Sequence, residues 1–97
     1  MASLAYADND FDEAFKAYEG GNYSKAIKLW KPLAIDGDAF AQYCLGVMYH
    51  DGEGVAQDYA EAVMWYKLAA AQGHADAQNN LGYMYHDGEG VAQDYAE

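Results

Sequence analysis

Apolar residues recur along the chain at intervals of three and four positions, the spacing that places side chains on one face of an α-helix. The first run of this kind consists of Phe11, Ala14, Phe15 and Tyr18. Gly20 and Gly21 follow it and predict the end of the helix. Either Asp8 or Asp10 is available to cap its start.

A second apolar stripe predicts a second helix, with Asn22 as its N-terminal cap. The stripe consists of Tyr23, Ala26, Ile27, Trp30, Leu33 and Ala34. Pro32 lies inside this helix, where it removes a backbone hydrogen bond and favours a bend. Because the stripe continues to Leu33 and Ala34, we expect a kink at Pro32 and not a break.

Three further helices follow from the same pattern. They are predicted over about residues 39–49, 58–72 and 75–86, with Asp38 and Asp58 capping the first two. Glycine stands in the middle of two of them, at Gly46 and Gly82, where it costs on the order of 1 kcal/mol relative to alanine. Its recurrence at the same place predicts that another helix packs against bare backbone there.

The recurrence of glycine is part of a longer duplication. Residues 48–61 occur again without change as residues 84–97, an offset of 36 positions. In the wider blocks 39–61 and 75–97, only four of 23 paired positions differ: Phe40/Asp76, Tyr43/Asn79, Cys44/Asn80 and Val47/Tyr83. A fixed period of this length is typical of a stacked repeat. We therefore predict an all-α solenoid of about two and a half helical hairpins.

The chain is strongly acidic, with a formal charge of −11. Such a surface repels phosphate backbones and argues against nucleic-acid binding. Residues 39–97 carry nine acids and one lysine, whereas residues 1–38 carry seven acids and four lysines. A basic partner would be steered toward the repeats. The sequence contains no long apolar run that predicts insertion into a membrane.

The residue types needed for catalysis are scarce. Cys44 is the single cysteine, so a disulfide within the chain is excluded, and we interpret it as a small packing residue. The sequence contains no phosphate-binding glycine loop and no His-Glu-x-x-His pattern. A metal site at His50-Asp51-x-Glu53 and its copy is the main alternative, but this spacing matches no defined site. We expect no enzyme activity, no cofactor and no metal.

The first seven residues suggest export. Ala5-Tyr6-Ala7 is the small-x-small pattern that precedes signal-peptide cleavage, and Asp8 would then open the mature protein. A periplasmic or secreted location is the hypothesis; an ordinary frayed terminus of a cytoplasmic protein is the alternative.

The repeats resemble the Sel-one-like repeat family, a relative of the tetratricopeptide repeat. The resemblance rests on Ala39-x-Ala41-Gln42-x-x-Leu45-Gly46-x-Met48-Tyr49, Gly52-x-Gly54-Val55-x-Gln57-Asp58 and Ala62-x-x-Trp65-Tyr66-x-x-Ala69-Ala70-x-Gln72-Gly73, and restarts at Ala75-x-Ala77-Gln78-x-x-Leu81-Gly82-x-Met84-Tyr85. Residues 1–7 then form a leader, 8–38 a first hairpin closer to a tetratricopeptide unit, 39–74 a full repeat and 75–97 a truncated one.

The resemblance implies an α-α superhelix of antiparallel helix pairs that acts as a scaffold for protein complexes and performs no chemistry. A partner peptide or helix would bind on the concave face. The alternative is a regulatory or inhibitory subunit of a cell-envelope enzyme or secretion system. The early end of the last hairpin also predicts self-association or segment exchange.

The four positions that differ between the repeats give the candidate site. They are spaced i, i+3, i+4 and i+7, so they share one face of each first helix, and first helices line the concave surface by family resemblance. The candidate partner-binding residues are Phe40, Tyr43, Val47, Asp76, Asn79, Asn80 and Tyr83. Alternatively, Phe40, Tyr43 and Cys44 only pack on the first hairpin. Binding leaves Tyr43 partly exposed, whereas packing covers it.

Overall fold

The computed structural model describes residues 8–91, and these form five helices. The helices are α1 (Asp8–Glu19), α2 (Tyr23–Ile35), α3 (Ala39–Asp51), α4 (Tyr59–Ala71) and α5 (Ala75–Asp87). The suggested leader, residues 1–7, and residues 92–97, which contain the start of the last hairpin's second helix, lie outside the described residues.

Each helix packs against the helices that precede and follow it along the chain, and α3 also contacts α5. The result is an elongated stack with principal extents of 42 × 27 × 16 Å. The predicted all-α solenoid is confirmed.

Helix capping follows the sequence at three of the four N-termini for which a cap is assigned. The side chains of Asn22, Asp38 and Asp58 accept hydrogen bonds from the backbone N–H groups three residues ahead. At the start of α5 the cap is instead His74, whose Nδ1 accepts from the Ala77 N–H at 3.2 Å. Asp10 lies inside α1, which already begins at Asp8, so the expectation that Asp10 could cap this helix is wrong.

The predicted helix through Pro32 is also confirmed. Helix α2 continues past the proline to Ile35 without interruption, and Leu33 and Ala34 are buried beyond it. Packing of this apolar end compensates the backbone hydrogen bond that proline cannot make.

The core is divided into two clusters that meet at α3. One joins the first hairpin to α3 around the fully buried Trp30, Leu45 and Met48. The other joins α4 to α5 around Tyr66 and Met84. Tyr43 and Tyr49 of α3 pack against both clusters, so α3 is the element through which the two halves of the stack are connected.

The two mid-helix glycines lie in different surroundings. At Gly46, a β-carbon would overlap the aromatic ring of Tyr66, so the prediction that a helix packs on bare backbone is confirmed there. At Gly82, no heavy atom of the described residues lies within 4 Å of that position, outside the glycine's chain neighbours and its own helix backbone.

One polar joint recurs between successive hairpins. The side chain of Gln42 is buried and donates from Nε2 to the Ala34 carbonyl at 3.1 Å. Its copy Gln78 donates to the Ala70 carbonyl at 3.1 Å. In both units the first helix is therefore tied to the last turn of the helix before it.

Candidate functional site

The seven residues selected from the sequence lie along neighbouring first helices. Four of them are partly buried: Phe40, Tyr43 and Val47 of α3, and Asn80 of α5. The other three are exposed: Asp76, Asn79 and Tyr83 of α5. The structure brings four of the seven around one groove: Tyr43, Val47, Asn80 and Tyr83. Phe40 lines a second groove beside it. Asp76 and Asn79 line neither groove.

The second groove, the aromatic groove, has a volume of about 200 Å³. Its lining residues are Phe15, Tyr18, Trp30, Phe40, Tyr43, Cys44 and Val47. It exists because α1 and α2 pack beside α3 and contribute their aromatic side chains to the wall. The ring of Phe40 lies 5.2 Å from that of Phe11 and 6.3 Å from that of Phe15, between centroids.

Tyr43 forms the ridge between the two grooves. Its ring stacks on His74 at 4.8 Å between centroids, with planes inclined by 28°, and lies 6.1 Å from the ring of Tyr66. Burial raises the pKa of Tyr43 above its usual value, and the charge of Asp76 adds to the effect. Tyr43 thus packs on fixed neighbours and still keeps part of its surface open to solvent.

The larger groove, the acidic groove, has a volume of about 420 Å³ and runs between α3 and α5. Its lining residues are Tyr43, Val47, His50, Asp51, Tyr66, Asn80, Tyr83, Met84, Asp87 and Glu89. Tyr83 is 70% exposed at its edge. Asn80 donates from Nδ2 to the Tyr66 hydroxyl at 3.3 Å, and burial raises the pKa of Tyr66 to about 12. Three carboxylates lie in this groove, and none of the residues lining it is a lysine or arginine.

His50 connects α3 to the loop that follows α5. Its Nδ1 lies 2.8 Å from an Asp51 carboxylate oxygen, and its Nε2 lies 3.1 Å from a Glu89 carboxylate oxygen. Burial alone lowers the pKa of His50, but the hydrogen bonds and charges of Asp51 and Glu89 outweigh it and raise the pKa above its usual value. The imidazole therefore links two of the carboxylates that line the acidic groove.

The loop after α3 makes a corresponding contact one unit earlier. The hydroxyl of Tyr18 in α1 donates to a Glu53 carboxylate oxygen at 3.0 Å, and Glu53 is the copy of Glu89 in the repeat. In each unit, the glutamate of the loop thus reaches back to the first helix of the preceding unit.

The acidic end of the site was not selected from the sequence, although helical spacing extends to it. His50 and Asp51 follow Val47 by three and four residues, and Asp87 follows Tyr83 by four, which places them on the same face. These residues are identical in both repeats, so a comparison of the two repeats gives no signal that separates them from packing residues. The reach of Glu89 back to α3 depends on loop geometry and has no signal in the pattern.

The described part of the chain offers little else for chemistry. Residues 8–91 contain no cluster of three or more histidine, cysteine, aspartate or glutamate side chains arranged to hold a metal ion. Burial raises the pKa of the Cys44 thiol to about 12, which leaves it protonated near neutral pH. Among the described helices, none combines the length and apolar character needed to cross a membrane.

Comparison with known proteins gives a family match over most of the chain. The family model described as Sel1 repeat matches residues 14–38, 39–74 and 75–97. A search of curated proteins found no match.

Two solved structures share the fold. One is c5321, a protective antigen present in uropathogenic Escherichia coli strains and displaying an SLR fold, with 38% identity over 97% of this chain and a TM-score of 0.88. The other is a Sel1 repeat protein from Oxalobacter formigenes, with 36% identity over 87% of this chain and a TM-score of 0.81. The chain spans 21% and 34% of the length of these two proteins.

Proposed function

The chain belongs to the Sel1 repeat family, whose members commonly mediate protein–protein interaction, and from that membership we propose that it is a scaffold that binds a peptide or helix of another protein. The binding surface is the face shared by α3 and α5. The observation that carries the proposal is the pair of adjoining grooves along this face, which share Tyr43 and Val47 as a common ridge.

The distribution of differences between the repeats supports this assignment. The nine positions that α3 and α5 have in common include Ala41/Ala77 and Met48/Met84, which are buried in both helices. Three of the four differing positions contribute residues that border the acidic groove: Tyr43, Asn80, and both members of the Val47/Tyr83 pair. Packing requires the same residue at the buried positions of every unit, whereas the residues at the differing positions can change to suit a partner. Aromatic anchors beside polar groups are typical of binding surfaces.

A peptide library displayed on filamentous phage tests the proposal. We expect selection on the parent protein to enrich peptides whose binding is lost in a Tyr43→Ala, Tyr83→Ala variant. The matched control is Met64→Ala, Leu68→Ala, which removes two exposed apolar side chains from α4 and should leave binding unchanged. Circular dichroism establishes that each variant is folded. Peptides that bind the parent and both variants equally would place recognition elsewhere.

The export hypothesis is a separate proposal. We propose cleavage after Ala7, supported by the Ala5-Tyr6-Ala7 pattern followed by Asp8. N-terminal sequencing of the natural protein should find Asp8 first, and any other first residue contradicts the proposal.

Self-association is a further proposal, supported by the observation that, within residues 8–91, no neighbouring helix covers Gly82 of α5. Light scattering over a range of concentrations should show a mass that rises above that of one chain. A constant monomer mass contradicts it.

A further inference from the structure

We propose that the segment recognised by this face carries one apolar side chain and, two to four residues away, one lysine or arginine. The apolar side chain occupies the aromatic groove, and the cationic side chain occupies the acidic groove. This inference rests on the proposed function and specifies the chemistry of the partner.

The aromatic groove sets the first requirement. Its walls are formed by aromatic rings, Val47 and the protonated thiol of Cys44, so a charged side chain would lose its hydration there without a compensating partner. Its volume of about 200 Å³ is below the roughly 300–1,000 Å³ typical of small-molecule sites. The groove therefore suits one apolar side chain of a peptide and not a whole cofactor.

The acidic groove sets the second requirement. Asp51, Asp87 and Glu89 contribute three negative charges. His50 contacts Asp51 and Glu89, and His86 lies 3.2 Å from Asp87, so the groove keeps a net negative charge even with both imidazoles protonated. Tyr43 and Tyr83 line the same groove as these carboxylates. A lysine or arginine side chain matches both features, because its aliphatic stem lies along apolar surface while its charged end pairs with carboxylates. An acidic or phosphorylated peptide would be repelled.

The spacing of the two anchors follows from the helices that form the grooves. The grooves lie on either side of α3, and packed helices are separated by about 8–10 Å. The two grooves adjoin at Tyr43 and Val47, and we take their separation as about one such helix spacing. An extended peptide advances about 3.3 Å per residue, so about three residues cover that distance.

A second copy of the chain is the competing occupant. Helix α2 exposes Ile35 together with Lys28 and Lys31, a combination that resembles the predicted segment. We nevertheless assign the site to an extended segment of another protein, because the anchor spacing derived above is that of an extended chain, whereas these residues belong to helix α2, whose opposite face is buried in the core. A dimer that dissociates in a Lys28→Ala, Lys31→Ala variant would overturn the assignment.

The same phage-displayed library also tests this inference when peptides are selected separately on the parent and on two charge variants. The site variant is Asp87→Asn, Glu89→Gln, and the control is Asp12→Asn, Asp36→Asn, which changes the net charge equally at exposed positions outside both grooves. Parent and control should enrich peptides with an apolar residue and a lysine or arginine two to four positions apart. A synthetic peptide of that consensus should bind the site variant about tenfold more weakly than the parent.

A change in the peptide gives a readout that does not depend on the folding of any variant. Replacing its lysine by norleucine keeps the aliphatic stem and removes the charge, and should weaken binding to the parent by about tenfold as well.

Three results would overturn the inference, and they separate it from the proposed function. Peptides that need Tyr43 and Tyr83 but carry no basic residue would refute the cation requirement and leave the binding face intact. If the site variant and the control variant lose peptide affinity equally, the affinity arises from general attraction between a basic peptide and an acidic protein and not from the acidic groove. Peptides that do not depend on Tyr43 and Tyr83 would refute both proposals.

Discussion

Helices α3 and α5 have the same length and share nine of 13 residues, yet they lie in different environments. In α3, Leu45 is fully buried and Gly46 is covered by the ring of Tyr66. Their copies in α5 are a partly buried Leu81 and an uncovered Gly82. The side chain of His50 is 31% exposed, whereas that of His86 is 65% exposed.

Within the described residues, the difference at these identical positions follows the neighbours of each helix. Helix α3 is packed by α2 on one side and α4 on the other, whereas α5 packs on α4 and touches α3 within the described residues. Identical residues therefore contribute differently to stability, and paired substitutions in the two copies measure how much each neighbour adds.

The largest expected difference is between Leu45→Ala and Leu81→Ala. Removing a fully buried leucine side chain leaves a cavity and should lower the free energy of unfolding by about 3 kcal/mol. The same change at the partly buried Leu81 should cost about 1 kcal/mol, because less apolar surface is lost. Urea unfolding monitored by circular dichroism measures both. Equal losses would show that α5 is covered as completely as α3.

Replacing Gly46 or Gly82 by alanine should change the free energy of unfolding in opposite directions. Gly46→Ala forces the Tyr66 ring to move and should lower the free energy of unfolding by about 2 kcal/mol. Gly82→Ala meets open space and should raise it by up to about 1 kcal/mol, because alanine favours helix formation. The same urea titration compares them. A destabilising Gly82→Ala would indicate that another helix, or a second chain, packs there in solution.

The smallest expected effect is the pH dependence that arises from His50. Its pKa is raised above 6.5 in the folded state by the Asp51 and Glu89 contacts, so the folded state holds the proton more tightly than the unfolded state. The resulting stabilisation is fully present below pH 6.5 and is lost as pH rises through the folded pKa. We expect it to be below about 1 kcal/mol, since the pair is partly exposed.

Urea unfolding at several pH values tests this dependence. The parent should lose stability as pH rises, whereas a His50→Gln variant should lose less. The same slope in both proteins would assign the pH dependence to other groups.

The sequence predicted the elements that depend on local or repeated signals. The five helices, the caps at Asn22, Asp38 and Asp58, and the packing on Gly46 follow from spacing, capping chemistry and duplication. The cap at His74 was not predicted, because histidine is not among the side chains favoured at this position.

The candidate site was harder to predict than the fold. Of the residues chosen by their position along a helix face, Tyr43, Val47, Asn80 and Tyr83 line one groove. The same choice also included Asp76 and Asn79, which lie outside both grooves. The contribution of Glu89 depends on a loop that folds back across a neighbouring helix, and a linear pattern contains no information about that approach.

The joint made by Gln42 and Gln78 has a consequence for how such an array changes over evolutionary time. Because the same side chain bonds the same carbonyl position at the same distance in both units, this contact between successive hairpins does not change from one unit to the next. Duplication or loss of a whole unit would then preserve the contact. An array of this kind can lengthen or shorten in whole units without redesign of this joint.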